Sequence, residues 1–230
     1  MRRPVRAGRS AVDRAVSLLL LLLITGCAAA IQPLTGRHTE ERLPAPTLDP
    51  RPHLVRFGWR YADETFEAAG DGVVRVLAPD RARLDFFLQN GMAGGWAILQ
   101  GDSLTIPGID LVRRLLPPPP LLWAALGRLT LPAATDTVVR RDADTLRAAL
   151  IGAVGIEGKE EWRVAMVRGT IMRVERLVGQ RLVETLAASR TATGQAGVQY
   201  VHLRGKRRLW IAVRDTTFVE GFDDAIWRRR

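Results

Sequence analysis

From residue 53 onward, apolar and polar residues alternate with a period of two. Val55, Phe57, Trp59 and Tyr61 take turns with Arg56, Gly58 and Arg60, the pattern of a strand with one buried face. FEAAGDGVVRVLAP follows, with Gly-Asp-Gly read as a turn, and RARLDFFLQ then places Ala82, Leu84, Phe86 and Leu88 on one face. NGMAGG leads into WAILQ, and Gly101-Asp102 separates that run from SLTIPG. Beyond the middle the plan repeats, with turns expected at Asp142-Ala143-Asp144, Arg168-Gly169, Gly179-Gln180 and Gly205-Lys206. These short connections are hairpin chemistry, and the whole predicts one curved meander of about ten antiparallel strands.

One segment breaks the period. IDLVRRLLPPPPLLWAALGRL, residues 109–129, has helical spacing at Ile109, Val112, Leu115 and Leu116, then four prolines, then Leu121, Leu122, Ala125 and Leu126. Proline cannot continue a helix, so the segment reads as two short helices with a rigid elbow. Two roles stay open for it: a plug that fills the concave side of the sheet, or a lid over an apolar cavity. A cavity lined by Trp59, Phe86, Leu88, Trp96, Leu115, Leu122, Trp123 and Leu126 would suit a lipid; ordinary core packing is the alternative for each of them.

The beginning of the chain has a different logic. MRRPVRAGRSAVDR carries five arginines against one acid, and the leucine-rich run after it is too short to cross a bilayer. A basic stretch, an apolar stretch and then small residues make a secretory signal peptide over residues 1–26. Ile24-Thr25-Gly26-Cys27 resembles the lipobox of bacterial lipoproteins. That resemblance implies cleavage before Cys27 and a diacylglycerol on its thiol. Cys27 is the only cysteine, so no intrachain disulfide can form, and two or more acyl chains anchor stably where one does not. Ala28 stands where an Asp favours inner-membrane retention in enterobacterial lipoproteins, which leans towards the outer membrane. Residues 27–52 read as a lipidated tether; within it residues 28–50, with prolines at 33, 44, 46 and 50, would reach roughly 25 Å if flexible. The domain proper is expected over residues 53–230, enough for a sizeable core.

Charge narrows the partners. Loss of residues 1–26 removes five Arg and one Asp and lowers the formal charge from +10 to +6. An exported protein has little access to nucleic acid, so a basic surface points instead to anionic phospholipid or lipopolysaccharide, with scattered solvated arginines as the plainer explanation.

Catalytic chemistry finds no foothold. ILQGDSLT, residues 98–105, resembles the first block of GDSL esterases, with Ser103 as nucleophile, but a serine needs a base and oxyanion donors. The only Asn is Asn90, ahead of the serine, and the only later histidine, His202, has Gln199 three residues before it. A turn is the better reading. His38, His53 and His202 are isolated, so no metal set is expected, and no phosphate loop or dinucleotide fingerprint implies a cofactor. The acid pairs Asp63-Glu64, Glu160-Glu161 and Asp223-Asp224 would face opposite ways on strands and are read as solvated.

The lipobox, the proline-bearing tether, the meander, RVLAPDRARLDFF with its Pro-Asp-Arg corner and LLPPPPLLWAALGRL in mid-chain together resemble the LolA/LolB lipoprotein-localisation superfamily. FDDAIW looks like the terminal strand segment of related lipoproteins. The resemblance, over roughly residues 53–227, implies a mainly β (α+β) fold: an incomplete antiparallel barrel of about ten or eleven strands whose concave, apolar face is covered by short helices. It also implies acyl chains of lipoproteins as ligands, a periplasmic carrier as partner and an outer-membrane anchor. The chain departs from the LolB pattern in lacking an amphipathic helix before the first strand. Met92 in NGMAGG is the nearest match to the exposed apolar loop residue used in delivery. Two functions follow: a lipid-binding acceptor or carrier, or a non-enzymatic envelope assembly subunit with a filled core that binds proteins.

Overall fold

A computed structural model of the chain describes residues 33–89, 93–107, 110–155 and 158–228. The alternation seen in sequence becomes five strands in the first half: β1 (Arg37–His38), β2 (His53–Ala62), β3 (Glu67–Leu77), β4 (Arg81–Leu88) and β5 (Ala93–Gln100), followed by a short β6 (Ser103–Thr105). Helices α1 (Asp110–Leu115) and α2 (Pro119–Ala125) come next. The second half is β7 (Asp136–Asp142), β8 (Thr145–Gly155), β9 (Gly158–Val167), β10 (Thr170–Val178), β11 (Arg181–Arg190), β12 (Ala196–His202) and β13 (Arg207–Phe218), ending in a 3-10 turn at Asp224–Trp227.

All the strands form one antiparallel 13-stranded sheet in the order β1-β7-β8-β9-β10-β11-β12-β13-β2-β3-β4-β5-β6. The sheet is open, with β1 and β6 as its edges, and it is the half-barrel the resemblance implied. Its two strands beyond the expected eleven are β1 and β6, of two and three residues, too short to carry a period. The two halves of the meander meet where β13 pairs with β2, Leu209 opposite Tyr61. The chain therefore leaves the sheet at one edge, β6, and must rejoin it beside the other edge, at β7. The α1–α2 segment makes that journey, and the concave face is the short way across.

Alternation sets the faces. Phe57, Trp59 and Tyr61 of β2, Val74 and Val76 of β3, and Ala82, Leu84 and Phe86 of β4 are all buried in one core together with the buried residues of α1 and α2. The turns carry the backbone expected of tight hairpins. Arg168 and Gly169 have φ of 50° and 79°, and Gly179 and Gln180 have φ of 55° and 63°, both central residues left-handed as a type I′ turn requires. Ala143 and Lys206 also have positive φ.

Two expectations do not hold. Gly70-Asp71-Gly72 is no turn but the middle of β3. A Cβ on Gly70 would stand 1.9 Å from the Phe87 carbonyl oxygen, and one on Gly72 would stand 2.3 Å from the Phe57 ring. The glycines are there for close approach, and they leave room for Phe57 and Trp59 to meet Phe86 edge-on at centroid distances of 5.7 and 5.9 Å. The reversal comes earlier, where the Asp63 carboxylate accepts from the Thr65 and Phe66 amides at 2.8 and 2.9 Å. The second difference concerns the segment read as a tether. Arg37–His38 pair with β7, Leu43 packs beside Val139 and Leu146, and Leu48 lies in the main core. Single apolar residues among prolines have no period to show, yet each finds a place against the sheet, so residues 37–48 do not extend freely.

Candidate functional site

The concave trough and its cover come directly from the proline run. Pro117 and Pro118 end α1, and Pro119 and Pro120 open α2, where the missing amide hydrogens are not needed. The Pro118 carbonyl accepts from Leu121 and Leu122 at 3.1 and 3.0 Å. The elbow is thus shorter than the four prolines suggest. α1 packs on β5, and α2 on β10 and β11, so the pair bridges both halves of the sheet. Trp123 donates its indole N–H to the Gly101 carbonyl at 2.8 Å, the Arg128 guanidinium lies 4.8 Å from the Trp123 ring centroid, and Leu129 N–H donates to Pro46 at 2.9 Å.

The residues proposed for a cavity divide three ways. Trp59, Phe86, Leu115, Leu122 and Trp123 are buried together beneath or within the cover, and Leu88 and Leu126 lie partly buried against them. Trp96 does not join them. It pairs with Asp85, between the inward Leu84 and Phe86, and so belongs to the convex face, where Arg83 stacks over its ring at 4.6 Å. Period-two reading had no means to phase β5, because Gly94 and Gly95 give no contrast before Trp96. Cys27 and Met92 lie outside the described residues. The trough is filled by the chain itself: Leu115, Leu121, Leu122 and Trp123 are at most 1 % exposed.

One end of the trough is polar, which the sequence did not disclose. Glu184, 4 % exposed, shares the concave face with Leu186; it accepts from the Tyr200 hydroxyl at 2.6 Å and from Arg176 at 2.9 Å. Arg176 also donates to Glu160 at 2.6 Å. Glu160, read as solvated, is thus part of a network. Burial, then the hydrogen bond to Glu184, pushes the Tyr200 phenol well up. At the same end Tyr61 donates to Asp63 at 2.7 Å. Burial, then that bond, raises Tyr61 to about 12, while hydrogen bonds from the Thr65 amide and from Tyr61 hold Asp63 at about 2. These residues sit on separate strands, and only the register unites them. The turns at this end expose Phe66 (37 %) and Leu203 (41 %), tied across by the Lys206–Glu64 ion pair. β4 also ends here, where Gln89 N–H donates to the Ala69 carbonyl.

Gly101-Asp102 is the β5–β6 turn expected of it. Ser103 is exposed there, at the opposite end of the sheet from His202, whose Nδ1 accepts from the Gly205 amide at 2.9 Å. Among the described residues no three His, Cys, Asp or Glu side chains gather as a metal site. FDDAIW is a 3-10 turn, not a strand, because the Asp223 side chain caps it by accepting from Ala225 N–H at 2.7 Å.

No protein-family model matches this chain, and no curated protein matches it in sequence. Solved structures are similar to it. A LolA superfamily protein from Nitrosomonas europaea is 13 % identical with a TM-score of 0.49, covering 80 % of this chain and 92 % of its own. A domain described as an outer membrane lipoprotein-sorting protein, from Vibrio parahaemolyticus, is 8 % identical with a TM-score of 0.47, covering 78 % and 90 %. A DUF1329 family protein from Desulfovibrio piger is 8 % identical with a TM-score of 0.43 over the same shares. At such identities and scores, only this chain's own residues are ground for a function.

Proposed function

We propose that the chain is a lipid-anchored protein of the bacterial envelope that takes up acyl chains, those of other lipoproteins among them, in the trough beneath α1 and α2. The observation that carries this reading is the nature of the cover. An apolar concave face is closed not by strands but by two short helices joined at Pro117–Pro118. A 16-carbon chain laid in the trough returns at most about 12 kcal/mol, at about 0.8 per methylene, against the apolar burial that the displaced side chains of the cover give up.

In this reading residues 1–26 are the signal peptide and Cys27 carries the lipid that holds the chain to the outer membrane, facing the periplasm. The stretch after Cys27 leads into a domain that begins ahead of residue 53, since β1, Leu43 and Leu48 already pack against the sheet. Acyl cargo arrives on a periplasmic carrier and enters at the end bearing Phe66 and Leu203; Met92 keeps its role as candidate membrane-facing residue from the sequence alone. No residue is assigned a catalytic role, and no metal, cofactor or nucleic acid is called for. Native mass spectrometry with lipid extraction, on a soluble form beginning after Cys27, tests the ligand. Stoichiometric phospholipid or acylated peptide, displaced by a fluorescent fatty acid, is the expected result. Cys27→Ala in the full chain tests the anchor, and is expected to abolish acyl incorporation and membrane retention.

The filled trough favours a second reading, an envelope assembly subunit that binds proteins. A clean apo mass with no uptake of added lipid decides for it.

A further inference from the structure

The convex face of β3, β4 and β5 carries a second feature, unconnected with the trough. The C-terminal segment crosses over these strands and, with them, encloses an open hollow of about 450 Å³ whose lining includes Arg75, Arg83, Asp85, Trp96, Ile226 and Arg228. That is the size of a small-molecule site. Its charges do not cancel locally. Arg75 and Arg83 both turn to one carboxylate, Asp85: Arg75 donates to Oδ2, and Arg83 donates to Oδ1 at 3.1 Å. Asp223, the other acid of the lining, is occupied in capping the 3-10 turn.

Arg83 is the more fixed of the two. Besides Asp85, it donates to the Ile226 carbonyl at 2.7 Å and lies over the Trp96 ring. Among the described residues Asp85 is the one hydrogen-bond partner of Arg75, whose side chain is 33 % exposed, so most of its five donors are unspent there. Arg228 stands exposed at the rim. Three guanidiniums around one hollow offer more fork-shaped donors than Asp85 can use, and such forks match the oxygens of a phosphate. Trp96 and Ile226 supply an apolar wall beside them.

We infer that this hollow binds a phosphate ester, its oxygens taken by Arg75, Arg83 and Arg228 and its organic part laid along Trp96 and Ile226. Asp85 is the internal competitor that holds the two arginines in place when the site is empty of ligand. A soluble phosphate ester and a phospholipid headgroup present the same chemistry.

Calorimetric titration of the full mature chain in non-ionic detergent tests this, with phenyl phosphate as the soluble probe and dihexanoyl phosphatidylglycerol as the headgroup probe. One of them is expected to bind, and the tighter names the source. Arg75→Ala is expected to weaken binding about tenfold, the loss of one charge-assisted pair. Asp85→Asn is expected to tighten it, which a purely structural carboxylate would not do. Should Arg75→Ala fail to fold, Arg75→Lys keeps the charge and loses the fork, and weakened binding is again the supporting result. No binding of either probe at millimolar concentration, in the natural chain and in Asp85→Asn, overturns the inference. So does an arginine variant that binds as the natural chain does.

Discussion

At the scale of single residues, the two glycines of β3 and the carboxylate of Asp63 each decide something their neighbours cannot. Gly70 faces the Phe87 carbonyl, a backbone atom that cannot swing aside. Gly70→Ala must push β3 and β4 apart, an overpacking cost of about 1–3 kcal/mol, and a fall in the urea midpoint with an unchanged slope is the expected signature. Asp63 is held at about 2 by the Thr65 amide and the Tyr61 hydroxyl, below the roughly 3.9 of an unfolded Asp. A carboxyl whose folded pKa is depressed stabilises the fold fully above its unfolded value, and the contribution fades as pH falls through the folded one. The stability difference between the natural chain and Asp63→Asn is thus expected to be constant above about pH 4 and to shrink towards pH 2. A difference that stays level across that window would mean the Asp63 bonds are matched in the unfolded chain.

At the scale of elements, α1 and α2 were legible because proline leaves few choices. The run after Leu116 had to end one helix, and the next had to begin with prolines in its first turn. Strands β2 and β4 were legible for a similar reason, since Val55 to Tyr61 and Ala82 to Phe86 alternate without interruption. The rest of the site was hidden by causes that are equally physical. Gly70-Asp71-Gly72 has turn composition, but in β3 it serves the packing of rings from two other strands. Trp96 could not be phased, and the Glu160–Arg176–Glu184–Tyr200 network exists only once β9 to β12 are in register. Within the cover, Leu122 is buried and Leu126 half-buried. Leu122→Ala leaves a hole and is expected to cost about 2–5 kcal/mol, with Leu126→Ala costing less. Equal shifts of the urea midpoint would show that the cover does not pack as tightly as its burial implies.

At the scale of the whole molecule, the question is whether the cover belongs to the sheet or only rests on it. The sheet is sewn by ladders from edge to edge. The cover is two helices of six and seven residues, far shorter than the roughly 12–15 residues an isolated helix needs to be even marginal in water. It is therefore helical only while it is packed, and lifting it breaks few polar bonds, chiefly Trp123 to Gly101 and Leu129 to Pro46. Structures open locally in cooperative pieces whose free energies lie below that of global unfolding. The amides of Leu122 and Leu126 should accordingly exchange with deuterium through a smaller opening than those of Trp59 in β2 or Leu209 in β13. Their protection should also respond less to low concentrations of denaturant. If the trough receives acyl chains, a medium-chain fatty acid should change exchange at Leu122 and Leu126 and leave Leu209 as it was. If instead the helix amides exchange only when the sheet unfolds, with or without fatty acid, the cover is permanent core. The filled trough then makes the protein a binding partner for other envelope proteins, with no acyl chain of its own to carry.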